Sequence, residues 1–418
     1  MGIRLKINQP IRNLGKTDSA SGTLDCEDSY TQQWFFFTIL YLVLDYSRIY
    51  VSLHLGFMRP LLIVTLILSF FLLTKGRYYL AKSEQTTLLW LFIVLLAVYV
   101  PLVRNNHFAF VTFKAQLLYM PFILSVIISV NSVERLKKFI FACICIEVYI
   151  ALYAITHSGY GPGNYFADEN DLALYINMWI PFCYFLFWTE KKLKIRLLYL
   201  IGLITGLFAV VASFSRGGFA GLIAICGTVM AFSTRKVQTI VVLCVLACII
   251  VYYAGDFYWN EISTTTNYET GTAKGRIESW KAAWKMFLDN PLGVGGGNFP
   301  VRFPEYQTDY FQRGMWGRVA HSLWFTLLPE LGIFGVFIFF GLLYYNLEDC
   351  FKLVGIKCAK DEEDQGYLSE LGKCFLGSII GYLVAGSFLA VLYYAHYWYL
   401  TGIIVATTKV ADNLSKSW

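Results

Sequence analysis

Long apolar runs alternate with short polar breaks through most of the chain. A bilayer-spanning helix needs about 20 mostly apolar residues. Twelve segments answer that pattern, near 34–53, 60–74, 88–103, 115–131, 138–156, 172–189, 196–214, 218–233, 238–254, 321–345, 373–392 and 395–409. The second could start nearer His54 than Pro60. Residues 373–409 read either as two short helices with a turn near 394–396, or as one long span and an interfacial piece. The pattern divides the chain into a polar segment 1–33, a nine-helix membrane region 34–254, a hydrophilic loop 255–320, C-terminal membrane helices over 321–411 and a tail 412–418. Twelve spans are expected, with eleven as the alternative.

Basic residues test the count. With the N-terminus in the cytoplasm, the inner segments collect Arg4, Lys6, Arg12 and Lys16, then Lys75, Arg77 and Lys82, then Arg135, Lys137 and Lys138. Lys191, Lys192, Lys194 and Arg196 follow, then Arg235 and Lys236, then Lys352, Lys357, Lys360 and Lys373, and last Lys409 and Lys416. The short outer loops hold few, as the positive-inside rule requires. Both ends then lie inside, and 255–320 is the one large extracytoplasmic loop. Residues 1–33 are polar and show no signal-peptide pattern.

Composition agrees. Hydrophobic residues make up 57% of the 418, and charged residues only 15%, where a soluble domain carries about a quarter. The chain reads as an all-α polytopic membrane protein. Its net charge of +6 is spread out, so it reports topology rather than nucleic-acid binding. The ten cysteines form no CxxC pair or zinc spacing and read as buried or reduced thiols. Asp45 is the one clear acid deep in a span, and no internal repeat points to a transporter.

The expected outer face carries the candidate chemistry. In 157–171, Gly159, Gly161, Pro162 and Gly163 break any helix before Asp168, Glu169, Asn170 and Asp171. Asn170 or Asp171 is placed to cap the next helix; Asp168 and Asn170 are alternatively sugar-binding groups, and nothing fixes a metal geometry. Arg216 stands between apolar runs, beside Ser215, Gly217 and Gly218. It either snorkels to water or presents its planar fork to a phosphate or pyrophosphate. In the large loop, Ile277, Trp280, Trp284, Phe287 and Leu288 recur at helical spacing. That stripe predicts a helix lying in the interface plane, with Arg276 in its first turn, where a cation gains nothing from the helix dipole. Asn290-Pro291 ends it, and glycines 293 and 295–297 make a compact turn without the Gly-Lys-Ser/Thr of a P-loop. Arg302, Arg313 and Arg318 add positive charge before His321, which opens the tenth span. His321 is either an interfacial hydrogen-bonding group or a base for a hydroxyl. Glu330, deeper in that span, requires a partner. His54, His107, His157 and His396 read as structural.

Together these motifs resemble the O-antigen ligase and polymerase superfamily of bacterial envelope proteins. Ser215-Arg216-Gly217-Gly218 resembles its outer arginine motif. Gly275-Arg276 with Trp280, then 290–295 and His321, resemble its outer-loop signature, followed by Glu330 and 331–335; Asp168-Glu169-Asn170 resembles its acidic loop. The resemblance covers nearly the whole chain. It implies a GT-C-like fold in the bacterial inner membrane, with the active site facing the periplasm or cell exterior. It implies a glycan donor linked to undecaprenyl pyrophosphate, and lipid A core, a growing glycan or a protein as acceptor. It implies no metal or other cofactor, and gives Arg216, Arg276 and His321 as the catalytic set. Asp168, Asn170, Arg302, Arg313 and Arg318 are the further substrate-binding candidates. The family often has His-Asn where this chain has His321-Ser322, so ligase, polymerase and protein O-oligosaccharyltransferase stay open. A polysaccharide transporter or flippase, or an assembly scaffold, is the reading from another class.

Overall fold

The computed structural model describes residues 18–75, 77–163, 166, 168–253, 272–307, 313–357 and 362–416. Parts of the expected large loop, 255–271 and 308–312, therefore lie outside the described residues, as do Arg4, Lys6, Arg12, Lys16, Cys358, Lys360 and the side chain of Arg313.

Among the described residues the regular secondary structure is helical. In order come α1 (Asp18–Ser47), α2 (Ile49–Ser52), α3 (Pro60–Lys75), α4 (Glu84–Leu102), α5 (Asn106–Ser129), α6 (Val133–Thr156), α7 (Glu169–Thr189) and α8 (Leu193–Ala212). Then follow α9 (Arg216–Phe232), α10 (Lys236–Tyr253), α11 (Thr272–Asp289), α12 (Phe299–Tyr306), α13 (Leu323–Val354), α14 (Glu362–Gly386) and α15 (Ala395–Lys416). Small polar residues start many of them. Ser83, Asn105, Ser132, Asp168, Ser215 and Ser322 each accept a bond from a backbone N–H of the first turn, satisfying a donor the helix leaves open.

Each of the twelve expected segments lies mainly on helix, although 34–53 crosses the break between α1 and α2 and 373–392 runs past Gly386, the end of α14. Among the described residues, eight helices are long and apolar enough to cross a membrane, and Arg216–Phe232 and Lys236–Val245 are shorter apolar helices. This is a multi-pass membrane architecture. Helix α7 lies at its centre and is apolar around nearly its whole circumference, from Leu172 to Leu186, as a helix enclosed by others must be. It packs against α8, α9 and α14, while α13 packs against α4, α11 and α14.

Several boundaries differ from expectation. The last pair is two helices, but α14 already ends at Gly386 and the connection runs through 387–394. His396 lies inside α15, 2% exposed, where Tyr46 and His396 Nδ1 share a hydrogen bond of 3.0 Å. The cap of α7 is Asp168 rather than Asn170 or Asp171. Asp45 has company: Glu147 is fully buried in α6, beside Gly202 and Gly206 of α8. The stripe in α11 also divides. Its buried face is Ser279, Ala282, Ala283 and Met286, while Trp284 and Leu288 are exposed. Small residues let α11 approach α13 closely, which the large ones would prevent.

The most unusual element is α13. Its backbone leaves helical geometry at Gly332 (φ 59°, ψ −159°), a conformation essentially restricted to glycine. The break frees carbonyls that an intact helix would use. The glycine-rich turn after α11 takes them: Val294 N–H donates to Pro329 O at 2.8 Å, and Gly295 N–H to Glu330 O at 2.7 Å. In return Ile333 N–H donates to Pro291 O at 2.9 Å. Tyr99 O–H donates to Leu331 O at 3.0 Å, and also reaches Leu292 O. Within the broken helix Glu330 is 2% exposed and fully engaged. Its carboxylate accepts from Gly297 N–H at 2.8 Å, Phe299 N–H at 3.1 Å and Tyr393 O–H at 2.7 Å. Irregular backbone at membrane depth is tolerated where protein supplies its partners, and here the turn supplies them.

Candidate functional site

Three segments converge at one end of the bundle. The first is the start of α7 and the second the start of α9. Asp168 Oδ1 accepts both the backbone N–H and the side-chain N–H of Asn170 at 2.8 Å. Asn170 Oδ1 in turn accepts Ser215 O–H at 2.7 Å, and Ser215 Oγ accepts Gly218 N–H at 2.9 Å. Asn177 Nδ2 donates to Gly218 O at 2.7 Å. A Cβ on Gly218 would collide with Ala173, so glycine is what lets α9 lie against α7. These contacts fix Arg216, the first residue of α9. Asn170 thus joins two helices, whatever else it binds.

The third segment is α11 with the turn before α13. Trp280 Nε1–H donates to Ala320 O at 2.9 Å, and its ring stacks on Phe325. This clamp sets α11 against the entrance to α13. The helix begins at Thr272, so Arg276 lies one turn in rather than in the first turn. Arg318 lies over the neighbouring glycine: a Cβ on Gly275 would stand 2.9 Å from its guanidinium carbon. The glycine before Arg276 thus lets the second guanidinium lie close against α11. His321 precedes the helix rather than opening it. Ser322 is the cap, and His321 holds a left-handed backbone (φ 47°), uncommon for a residue with a side chain.

Electrostatics join the segments. Burial lowers the pKa of Arg276, and the charges of Arg216 and Arg318 lower it further, while Asp168 opposes them. Burial lowers that of Arg318 as well. His321 is held below the ordinary histidine value, by burial first and then by Arg276 and Arg318, again against Asp168. Arg276 is therefore near Arg216, Arg318 and Asp168, and His321 is near Arg276, Arg318 and Asp168. The Nε of Arg318 is buried without a hydrogen-bond partner among the described residues. A like-charged cluster with an orphan donor invites an anion. The imidazole beside it is kept neutral at pH 7, able to accept a proton.

Arg302 goes elsewhere. Its guanidinium donates to Asn290 Oδ1 at 3.0 Å and to Glu305 Oε2 at 3.1 and 3.2 Å, and lies on the Tyr306 ring, so it fastens α12 to the end of α11. The Arg313 backbone is in a short 3-10 turn. Among the described residues no group of three His, Cys, Asp or Glu side chains is placed to hold a metal ion.

Residues 201–340 match the family model described as O-antigen ligase. That stretch is similar to the O-antigen ligase family. The match covers about a third of the 418 residues and contains Arg216, Arg276, Arg318 and His321. It supports the O-antigen ligase/polymerase superfamily and an O-antigen ligase-like membrane function. No curated protein matches the chain.

Outside the matched stretch, the site leans on residues that sequence reasoning overlooked. The 387–394 connection runs between the two halves of the site. Tyr394 O–H donates to Asp171 Oδ2 at 3.0 Å on α7, whereas the adjacent Tyr393 reaches Glu330 on α13. Ser387 Oγ accepts Trp324 Nε1–H at 2.8 Å, and Phe388 lies against Gly217. A pair of tyrosines closing an apolar run was the available signal, since buried hydroxyls need partners.

Proposed function

We propose that the protein is a membrane glycan transferase that moves a glycan from undecaprenyl pyrophosphate to an acceptor hydroxyl. The observation that carries this reading is the gathering of Arg216 and Arg318 about Arg276, with a partnerless guanidinium N–H among the described residues and a neutral histidine beside Arg276 and Arg318. The family match supports a lipid-linked glycan donor and an acceptor. In the proposed step the acceptor oxygen forms a bond to the anomeric carbon as the bond to the pyrophosphate oxygen breaks. Arg276 and Arg216 hold the pyrophosphate and take up the charge it gains on leaving, and Arg318 extends that grip. His321 receives the acceptor's proton. A single displacement inverts the anomeric configuration. In this reading the chain has twelve spans with both ends in the cytoplasm, and the cluster faces the periplasmic or outer side of the bacterial inner membrane in a GT-C-like arrangement. Asp168 and Asn170 then border the glycan, and the acceptor is lipid A core, a growing glycan or a protein.

A transporter is the competing reading, because a broken helix is a transporter trait. The break at Gly332 favours it less than it first suggests, since the 291–297 turn already occupies the freed backbone groups. The deciding experiment follows lipid-linked and envelope glycans after gene deletion and complementation with Arg276→Ala. Long polymers stalled on the lipid carrier in both strains support a ligase or protein transferase. Single repeat units in both support a polymerase. Full glycan output from the Arg276→Ala strain contradicts the assignment.

A further inference from the structure

A sizeable cavity lies at the other end of the bundle. It opens where α6, α8 and α14 begin and α7 ends, with a volume of about 470 Å³. Since α7 and α8 each have about 20 residues, the two ends are about 30 Å apart. The cavity plays no part in the chemistry proposed above.

Its lining is charged at the rim and apolar below. Lys137, Lys138, Lys191 and Lys192 face Glu134, Glu190 and Glu363, above Phe141, Leu186 and Ile195. The carboxylates are already occupied. Lys138 pairs with Glu134 at 2.7 Å, Lys191 with Glu363 at 2.5 Å, and Glu190 accepts Lys192 N–H at 2.8 Å. Lys137 turns to Asp364 at 2.9 Å and lies over the Tyr367 ring. Counting Asp364, the four lysines face four carboxylates, and three of the lysines are held in ion pairs. The Nζ of Lys192 has no carboxylate partner among the described residues, and the buried Tyr367 hydroxyl has no hydrogen-bond partner among them either. Phe141, 41% exposed, opens the apolar half sideways toward the surface that acyl chains would cover.

We infer that this cavity binds the phosphodiester headgroup of an anionic phospholipid. The phosphate sits beside Lys192 and Lys138, and the acyl chains leave across Phe141 and Ile195. Lys192 offers the phosphate a cation not held in an ion pair, while the rim carboxylates, already engaged, leave the ammonium of a zwitterionic lipid poorly matched; the apolar floor selects a lipid over free phosphate. Basic pockets between spans that take lipid headgroups follow the same physics.

The test uses the full chain, purified in detergent and exposed separately to phosphatidylglycerol and phosphatidylethanolamine, with retained lipid counted by native mass spectrometry. Phosphatidylglycerol is expected to be retained in preference, and excess inorganic phosphate is expected to leave it bound. Lys192→Gln lowers retention about fivefold, and adding Lys138→Gln lowers it further. Leu186→Trp, which fills the cavity without changing charge, lowers it too. Arg276→Ala retains the lipid, which separates this site from the proposed donor site. Equal retention of phosphatidylethanolamine, displacement by inorganic phosphate alone, or unchanged retention in both the lysine and Leu186→Trp variants overturns the inference.

Discussion

Two polar regions share the beginning of α13, nine residues apart in sequence, and they are built on opposite principles. At Glu330 each buried group is answered: the carboxylate accepts three hydrogen bonds, and the glycine turn takes the carbonyls freed at Gly332. At His321 cations crowd together, burial lowers the pKa of two arginines, and a guanidinium N–H is left without a partner. A buried polar group that is satisfied holds a fold together. One that is left wanting awaits something the chain does not supply. The first region is architecture for the second, because the turn bound to Glu330 follows directly from the helix that carries Arg276.

Substitutions separate the two kinds of region. The largest effect is expected from Arg276→Ala, which should lower glycan transfer about 100-fold or more, by analogy with loss of an oxyanion donor, while the thermal midpoint stays near that of the wild type. Transfer within a few fold of wild type by a folded variant removes Arg276 from the site. Gly332→Ala should do the reverse and act on folding. A side chain there is strained at φ 59° and collides with Leu292 and Gly293, costing about 3 kcal/mol. Thermal unfolding reads this, and an unchanged midpoint would mean that the break is not needed.

The pH dependence gives a smaller effect with a definite sign. Lowered pKa means that His321 stays neutral, and active as a base, down to pH values below about 6.5. Activity should fall only as pH drops through that lowered value. Arg318→Gln removes a cation and should move the acid limb upward; Asp168→Asn removes the opposing anion and should move it downward. Shifts in the same direction would contradict the arrangement. The smallest expected effect is Tyr394→Phe, which deletes one hydrogen bond to Asp171. It should lower kcat about fivefold with KM little changed, since Tyr394 acts through Asp171 on α7.

Much of this was legible in one sequence. Apolar runs locate helices well, because a membrane offers backbone groups no partner but the helix itself. The arginines and the histidine stood out because charge is costly beside such runs. What escaped were relations between distant segments. Nothing local in Asn290–Asn298 says that its N–H groups answer the carbonyls freed at Gly332, and Gly332 itself reads as an ordinary helical residue. Arg302 looked like Arg318 by charge and position, yet Asn290, Glu305 and Tyr306 bind it away from the cluster. Glu147 was hidden by the apolar residues around it, because the space for its carboxylate is made by Gly202 and Gly206 on another helix.

The central claim is that the guanidinium cluster exists to hold a lipid pyrophosphate. Equilibrium binding of undecaprenyl pyrophosphate to the purified protein tests it most directly, with wild type beside Arg276→Gln and His321→Ala. The account predicts that Arg276→Gln binds at least about tenfold more weakly, as loss of one charge-assisted contact would give, while His321→Ala binds as the wild type does. Equal binding by wild type and Arg276→Gln would contradict it.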